Sequence, residues 1–377
     1  MDYNTLYAAI DKAYTQLQNK AQPKILVLFT EQITLLGDCC LIFDKFRHVC
    51  NYYNIKHLDI NFLGWQNTRF IESLLPGNPY IKTFSILSSL EEVKLKHFDL
   101  VLLISSDESK FLDSLYNQYF FVNTSNDWKT AVISLSETVL KPNVNNKFVF
   151  STDIKLKQYL SALHISKIFL DDREIESAEN WFNNESVKDN EKLVVYVDSS
   201  AVKNKLLKQE VQFDLLKKLL LEDPLRKILI FDELNIGKQS YYNIWLNSSL
   251  SSRLIFANGN SLRHDLSLLS SRRVELIIGP CSGLMHCASS IFNALIENNK
   301  YISYPKIIVY TGNYGSERYN INLWWGASPL VKCLYIQKNN TIGVLLELPS
   351  GERDDIPRLS TDHYTAEMLI NACKGRS

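Results

Sequence analysis

Residues 277–290 read Ile-Ile-Gly-Pro-Cys-Ser-Gly-Leu-Met-His-Cys-Ala-Ser-Ser, a branched apolar run that enters a turn of small residues and then a helical pattern. A helix start of this kind presents free N–H groups and the positive end of its dipole, which suits a phosphate. His286 lies about one turn into that helix, near enough to donate to the same anion. The bland alternative stays open: Gly279-Pro280 and Ser282-Gly283 are ordinary turn dipeptides, and a single histidine is often a core residue. Cys281 with His286 as its base would make a nucleophile, but no oxyanion device or third group accompanies them, so a cysteine hydrolase is disfavoured.

Two further segments carry candidate chemistry. Residues 30–38, Thr-Glu-Gln-Ile-Thr-Leu-Leu-Gly-Asp, follow a strand-like run and lead into a helical pattern. Asp38 there is either a carboxylate placed to satisfy the helix start or a general base facing a cleft between domains, with Glu31 as a substitute. Residues 198–205, Asp-Ser-Ser-Ala-Val-Lys-Asn-Lys, follow another strand-like run. Their hydroxyls and amines suit the distal phosphate of a nucleotide, or form a solvated surface loop. The chain has no GxxxxGK[ST] loop, no GxGxxG after a strand, no HExxH, no calcium loop and no Asp-x-Asp pair. A metal-independent site without a cofactor is the simpler expectation.

Such loops act only if strands and helices hold them. Residues 3–18 place Leu6, Ile10, Ala13, Tyr14 and Leu17 on one helical face. Continuous apolar runs at 24–30, 57–63, 98–104, 147–150 and 167–170 predict buried strands, with helical or polar segments between them. The pattern restarts at 193–197, 227–231, 253–256, 274–278, 306–310 and 330–336. Two successive βα arrays with parallel sheets follow. The polar stretch 175–192 is the expected linker, and residues 361–373 carry a final amphipathic helix. In open parallel sheets ligands bind beyond the carboxyl ends of the strands, where all three candidate segments fall.

Composition bounds the rest. The 377 residues carry 41 Lys plus Arg against 41 Asp plus Glu, a formal net charge of zero. A nucleic-acid partner is not expected, because its binders usually show a basic excess; any anion must be held by a local patch. Length suggests two domains. The polar amino terminus lacks the pattern of a secretory signal, and the seven cysteines are odd in number without a CxxC pair. Both point to a cytoplasmic protein with reduced thiols.

Taken together, the three segments resemble glycosyltransferase family 9, the heptosyltransferases of bacterial lipopolysaccharide assembly, which are inverting enzymes of the GT-B fold. The family opens with a strand, a loop and a Gly-Asp at the first helix, matched by residues 24–30 and Gly37-Asp38. Its signature Asp-Ser/Thr-Gly-x-x-His-x-Ala is similar to Cys281-Ser282-Gly283-Leu284-Met285-His286-Cys287-Ala288, with a cysteine where the family has Asp. The family's Gly-x-Pro after the signature helix is replaced here by residues 292–304 before Pro305, and its Lys-x-Trp pattern lacks the Trp. Residues 313–325, rich in aromatics, only loosely match the family's loop after the following strand.

The resemblance implies two Rossmann-like βα domains facing a central cleft: an acceptor domain over 1–182, a donor domain over 190–355, and a C-terminal helix in 356–377 crossing back to the first domain. It implies Asp38 as the base that deprotonates the acceptor hydroxyl. Ser199, Lys203, Lys205, Ser282, Gly283 and His286 would hold the diphosphate of a nucleotide-sugar donor, and Glu233 its ribose. Heptose is the sugar the resemblance points to. The acceptor would be a cell-surface glycan or a lipid-linked core, which raises peripheral association with the inner face of the membrane. Two rival readings accompany it, a catalytically silent GT-B-like binding protein and a nucleotide-sugar epimerase or hydrolase.

Overall fold

The computed structural model describes residues 3–120, 128–140, 143–162, 165–301, 303–313, 325, 328–348 and 358–375. The chain forms two compact units. The first comprises Met1–Thr34, Ile42–Ile71 and Asn78–Ala162, the second Leu35–Leu41, Glu72–Gly77 and Leu163–Ser377.

The first unit is built on a parallel sheet ordered β3-β2-β1-β4-β5. Its strands are β1 (Ile25–Phe29), β2 (Leu58–Leu63), β3 (Ile81–Leu87), β4 (Leu100–Ile104) and β5 (Ala131–Ser134). Every residue of β1 and β4 is buried, because each is covered on both faces; this is why they read as unbroken apolar runs. Helix Tyr3–Leu17 buries Leu6, Ile10, Ala13 and Leu17, the stripe its spacing dictates.

The second unit holds a sheet ordered β12-β11-β10-β9-β6-β7-β8. Its strands are β6 (Lys192–Tyr196), β7 (Arg226–Asp232), β8 (Leu254–Asn258), β9 (Val274–Pro280), β10 (Lys306–Tyr310), β11 (Val331–Ile336) and β12 (Ile342–Val344). Only β12, on the edge, is antiparallel. Both sheets reverse direction beside their first strand: β1 lies between β2 and β4, and β6 between β7 and β9. At such a reversal the loops leaving the two central strands diverge to opposite faces and leave a crevice at the carboxyl edge.

Several sequence expectations need correction. Residues 147–150 form no strand. Lys147 makes an isolated bridge with Asp107, and the N–H groups of Val149 and Phe150 donate to the buried Glu108 carboxylate at 2.8 and 3.0 Å. Residues 167–170 also form no strand; Ile168 N–H is spent on the Ser290 carbonyl of a helix at 3.1 Å. Four apolar residues are too few to distinguish a strand from a buried extended segment. Conversely β3 sits on an edge with a partly exposed pattern, which hides it from a search for apolar runs.

The expected linker 175–192 is largely helix Asp172–Asn184, closed at its start by a capping box of Asp171 and Glu174. Its polar face is solvated while Ala178 and Phe182 are buried, so its composition disguised an amphipathic helix. The C-terminal helix, Ala366–Cys373, expected to cross back to the first unit, clusters with the second. Leu369 and Ile370 pack with Leu216, Leu219 and Leu220 in the core of the second. Tyr364, just before it, is buried there and donates to the Thr311 carbonyl at 3.0 Å.

Candidate functional site

The carboxyl edge of the second sheet carries two linked clusters. The first sits beyond β6 and β7. Asp198 accepts from Lys238 Nζ at 2.7 Å and from the Tyr242 hydroxyl at 2.8 Å. Lys238 also reaches Glu233 Oε2 at 3.4 Å, and Glu233 Oε1 accepts from Ser199 Oγ at 3.0 Å. The local fold sets this up. Asp232, the last residue of β7, accepts from the N–H groups of Ile236, Gly237 and Lys238 at 2.9, 3.0 and 3.0 Å, which turns the chain into helix Lys238–Trp245. Gly237 takes a left-handed φ of 83°, a conformation that favours glycine. Burial acts to lower the Lys238 pKa, but the charges of Asp198 and Glu233 outweigh it and hold the ammonium above its ordinary range.

The second cluster sits beyond β9. Helix Gly283–Glu297 starts after Ser282, whose extended backbone makes it the N-cap. The Ser282 hydroxyl makes no capping bond, and its oxygen is buried without a hydrogen-bond partner among the described residues. Lys205 Nζ donates to the Cys281 carbonyl at 3.2 Å, joining the loop after β6 to the loop after β9 across the strand reversal. The lysine is held there by residues near the C-terminus: Thr361 Oγ1 donates to the carbonyls of Asn204 and Leu206 at 3.0 and 2.9 Å. Leu359 is bonded to both Ile336 and Asn313, which fixes Arg358 beside the ends of β10 and β11.

Cys281 is buried. Desolvation pushes its thiol up to about 11, although the charges of Lys205 and Arg358 and the Trp325 indole N–H pull the other way. It is therefore a neutral group at pH 7, not a thiolate nucleophile. His286 is buried and stacked on Trp325, with ring centroids 4.0 Å apart and planes 12° apart.

The segment Leu35–Leu41 clusters with this unit. A Cβ on Gly37 would stand 3.2 Å from His286 Cδ2, and a Cβ on Gly283 only 2.8 Å from Leu36 Cβ and 2.9 Å from Gly37 N. The two glycines thus permit one helix start to lie against another. Asp38, half-buried, lies in the first turn of helix Leu36–Tyr52 rather than capping it, one residue from this contact. Cys40 and Cys287 line the same packing as buried thiols, with Cys40 Sγ 3.2 Å from Ser290 Oγ.

The structure thus brings Lys205, Ser282, Gly283, His286 and the Gly37-Asp38 turn to one place, and pairs Ser199 with Glu233 nearby. Lys203 stands exposed in the turn Lys203–Lys205. Sequence reasoning missed Lys238, Tyr242 and Arg358. Lys238 had one usable signal, a Gly-Lys pair soon after a strand ending in Asp; Arg358 had none, since only folding brings it to the edge. Of the aromatic stretch 313–325, residues 314–324 lie outside the described residues. Among the described residues no group of three or more His, Cys, Asp or Glu could hold a metal ion.

In the first unit the corresponding edge is simpler. Glu31 accepts from the Ser106 hydroxyl, joining the loop after β1 to the loop after β4. Asp107 caps helix Glu108–Leu115, and Glu108 is buried under bonds from Ser134, Ser136, Val149 and Phe150.

No protein-family model matches the sequence, and no curated protein matches it. Solved structures do. The chain is similar to the ADP-heptose lipopolysaccharide heptosyltransferase II of E. coli, at 14% identity and a TM-score of 0.58, over 93% of this chain and 98% of that one. A glycosyl transferase family 9 protein from Veillonella parvula superposes with a TM-score of 0.60 at 14% identity, over 93% and 96% of the two chains. The chain has the fold of these transferases. E. coli heptosyltransferase WaaC, solved with ADP-2-deoxy-2-fluoro heptose, matches with a TM-score of 0.50 at 8% identity over 93% of this chain and 99% of that one. At these identities the likeness is one of architecture: a GT-B chain of two α/β units with mostly parallel sheets.

Proposed function

We propose that this GT-B chain is an inverting, metal-independent glycosyltransferase that moves a sugar, heptose being the first candidate, from a nucleotide-diphosphate donor to a cell-surface glycan or lipid-linked core. The observation that carries the reading is the bond from Lys205 to the Cys281 carbonyl at the start of helix Gly283–Glu297, beside the Ser282 hydroxyl, which has no hydrogen-bond partner among the described residues. A helix N-terminus, an ammonium and a spare hydroxyl gathered at a strand reversal suit a diphosphate. In the reaction Asp38 takes the proton of the acceptor hydroxyl as its oxygen bonds to the anomeric carbon. The bond from that carbon to the diphosphate breaks, and the nucleoside diphosphate leaves with the electron pair. Lys205, Arg358 and the helix start meet the charge that grows on the leaving oxygen. Ser199, Lys203, Glu233 and His286 complete the donor site in this reading, with Glu233 toward the ribose.

One observation favours a second reading. Cys281 stands neutral where the resembling family keeps a carboxylate, so a binding protein without transfer accounts for the same site. A panel of nucleotide sugars screened by thermal shift, followed by turnover with Asp38→Ala, separates the two. Transfer requires stabilisation by at least one donor and turnover that collapses in the variant. Stabilisation without turnover by either protein selects the binding reading, and stabilisation by no donor removes both.

A further inference from the structure

Helix Gly283–Glu297 buries nearly every side chain it carries, and among the buried ones His286, Ser289 and Asn293 are polar and recur at i, i+3 and i+7. That spacing sets them in one stripe along the helix. Buried polar groups need partners, and the segment after β10 supplies them. The Ser328 hydroxyl donates to Asn293 Oδ1 at 2.8 Å and accepts from Ser289 Oγ at 3.5 Å. Ser328 N–H in turn reaches the Trp325 carbonyl at 3.4 Å, and the Trp325 indole lies ring on ring over His286, the first member of the stripe. The place of the indole is thus fixed along the same helix whose start forms the second cluster.

With centroids 4.0 Å apart and planes 12° apart, the two rings meet face to face. A face contact leaves the in-plane nitrogens of the imidazole to hydrogen bonding. The imidazole edge lies against the other helix start, where a Cβ on Gly37 would stand 3.2 Å from His286 Cδ2. Trp325 itself is buried, and its indole N–H makes no hydrogen bond of ordinary geometry with any described residue, acting on the Cys281 thiol from longer reach. One indole therefore serves Cys281 before the helix start and His286 after it, with Ser282 between them in the chain. A donor side chain held in place before its ligand arrives does not lose rotamer freedom on binding, which lowers the cost of association.

Resting on the reading of this helix start as the donor's diphosphate site, we propose that Trp325 is a positioning residue: it holds the His286 ring in the plane from which an imidazole N–H donates to a phosphate oxygen. Trp325 bonds no phosphate oxygen itself, so its effect on a nucleoside diphosphate passes through His286. The device asks for a flat ring at position 325. A phenyl group there still stacks on the imidazole, whereas an aliphatic side chain fills space without fixing the ring plane.

The test is titration calorimetry of the full chain with ADP, UDP, GDP and CDP. The nucleotide that wild type binds most tightly is then titrated into Trp325→Leu, Trp325→Phe, His286→Ala and the double variant His286→Ala/Trp325→Leu, each checked for folding by circular dichroism melting. Trp325→Leu and His286→Ala are each expected to lose about tenfold in affinity, and Trp325→Phe to stay within about threefold of wild type. The double variant should bind within about threefold of either single one, because without the imidazole the indole has nothing to orient. A second measurement needs no variant: in nitrogen-15 NMR of wild type, the His286 ring nitrogens should shift when the nucleotide is added. Losses that multiply in the double variant give Trp325 a general packing role and overturn the proposal. Trp325→Leu that binds as wild type does, Trp325→Phe that loses as much as Trp325→Leu, or ring nitrogens that do not move also overturn it, while leaving the donor reading in place. Wild type that binds none of the nucleotides removes the donor reading and the proposal together.

Discussion

In the first unit the loop after β1 meets the loop after β4 through a carboxylate, with Glu31 accepting from Ser106. In the second, the loop after β6 meets the loop after β9 through an ammonium, with Lys205 donating to the Cys281 carbonyl. Both sheets reverse their strand order beside their first strand, and the groups that join the loops across the two reversals differ. The first edge offers Glu31, Ser105, Ser106 and Asp107, groups that engage neutral hydroxyls and repel phosphate. The second pairs its carboxylates Asp198 and Glu233 with Lys238 and offers Lys205, Arg358 and the start of a fifteen-residue helix, which attract phosphate. Two similar sheets thus carry different side chains at corresponding edges, and net charge hides this because the whole chain sums to zero.

The largest effect that can break this division belongs to Asp38. Asp38→Ala is expected to cut turnover by about 10² to 10⁴ while the thermal shift given by the donor stays as in wild type. Unchanged turnover would move the base elsewhere, with Glu31 the next carboxylate to test. Next comes Lys238→Met, which removes the counter-charge of the nearly buried Asp198 carboxylate and leaves it the Tyr242 hydroxyl as donor. Loss of about 3 kcal/mol in denaturant unfolding is expected, against less than about 1 kcal/mol for Glu31→Gln in the half-buried pair of the first unit. Equal losses would show that the two edges are not energetically distinct.

Gly283→Ala probes how tightly the two helix starts pack. Its Cβ would press on Leu36 and Gly37 at 2.8 and 2.9 Å, so a lower melting temperature, equivalent to about 1–3 kcal/mol, and a smaller donor-induced shift are expected. A Gly283→Ala variant that melts as wild type does would show that the two helix starts part easily.

The smallest effect concerns acid. In the second unit Asp171, Glu191, Asp223 and Asp232 are all held below their ordinary carboxylate range; for Asp232, burial acts the other way but the N–H groups of Lys238, Ile236 and Gly237 win. In the first unit only Asp107 is so held among the described residues. A lowered folded pKa contributes stability that is present above the unfolded value, 3.8 for Asp and 4.5 for Glu, and is lost as pH falls through the folded one. Hydrogen exchange below about pH 4 should therefore rise in the second unit more than in the first. Uniform acceleration would contradict the difference.

How much of this was legible beforehand follows from what each feature depends on. Buried parallel strands such as β1, β4 and β6 declare themselves because both faces are covered, so nearly every residue is apolar. Edge strand β3 and helix Asp172–Asn184 did not, because each shows solvent a polar face that looks like loop. The site divided in the same way. Ser282, Gly283 and Lys205 follow strands directly and could be read from position alone. Arg358 lies in the chain far from every strand end it serves, and Lys238 matters only because the turn at Asp232 folds it back onto Asp198. The C-terminal helix, expected on the first unit, is held by apolar side chains whose partners no linear reading could choose.

Titration calorimetry with a nucleoside diphosphate, on wild type, Lys205→Ala and Glu31→Gln, tests the division of the two edges most directly. Affinity should fall at least about tenfold in Lys205→Ala, as expected for loss of a charge-assisted bond, and remain at the wild-type value in Glu31→Gln. Equal affinity in all three, or a loss confined to Glu31→Gln, would contradict the placement of the anionic partner on the second unit.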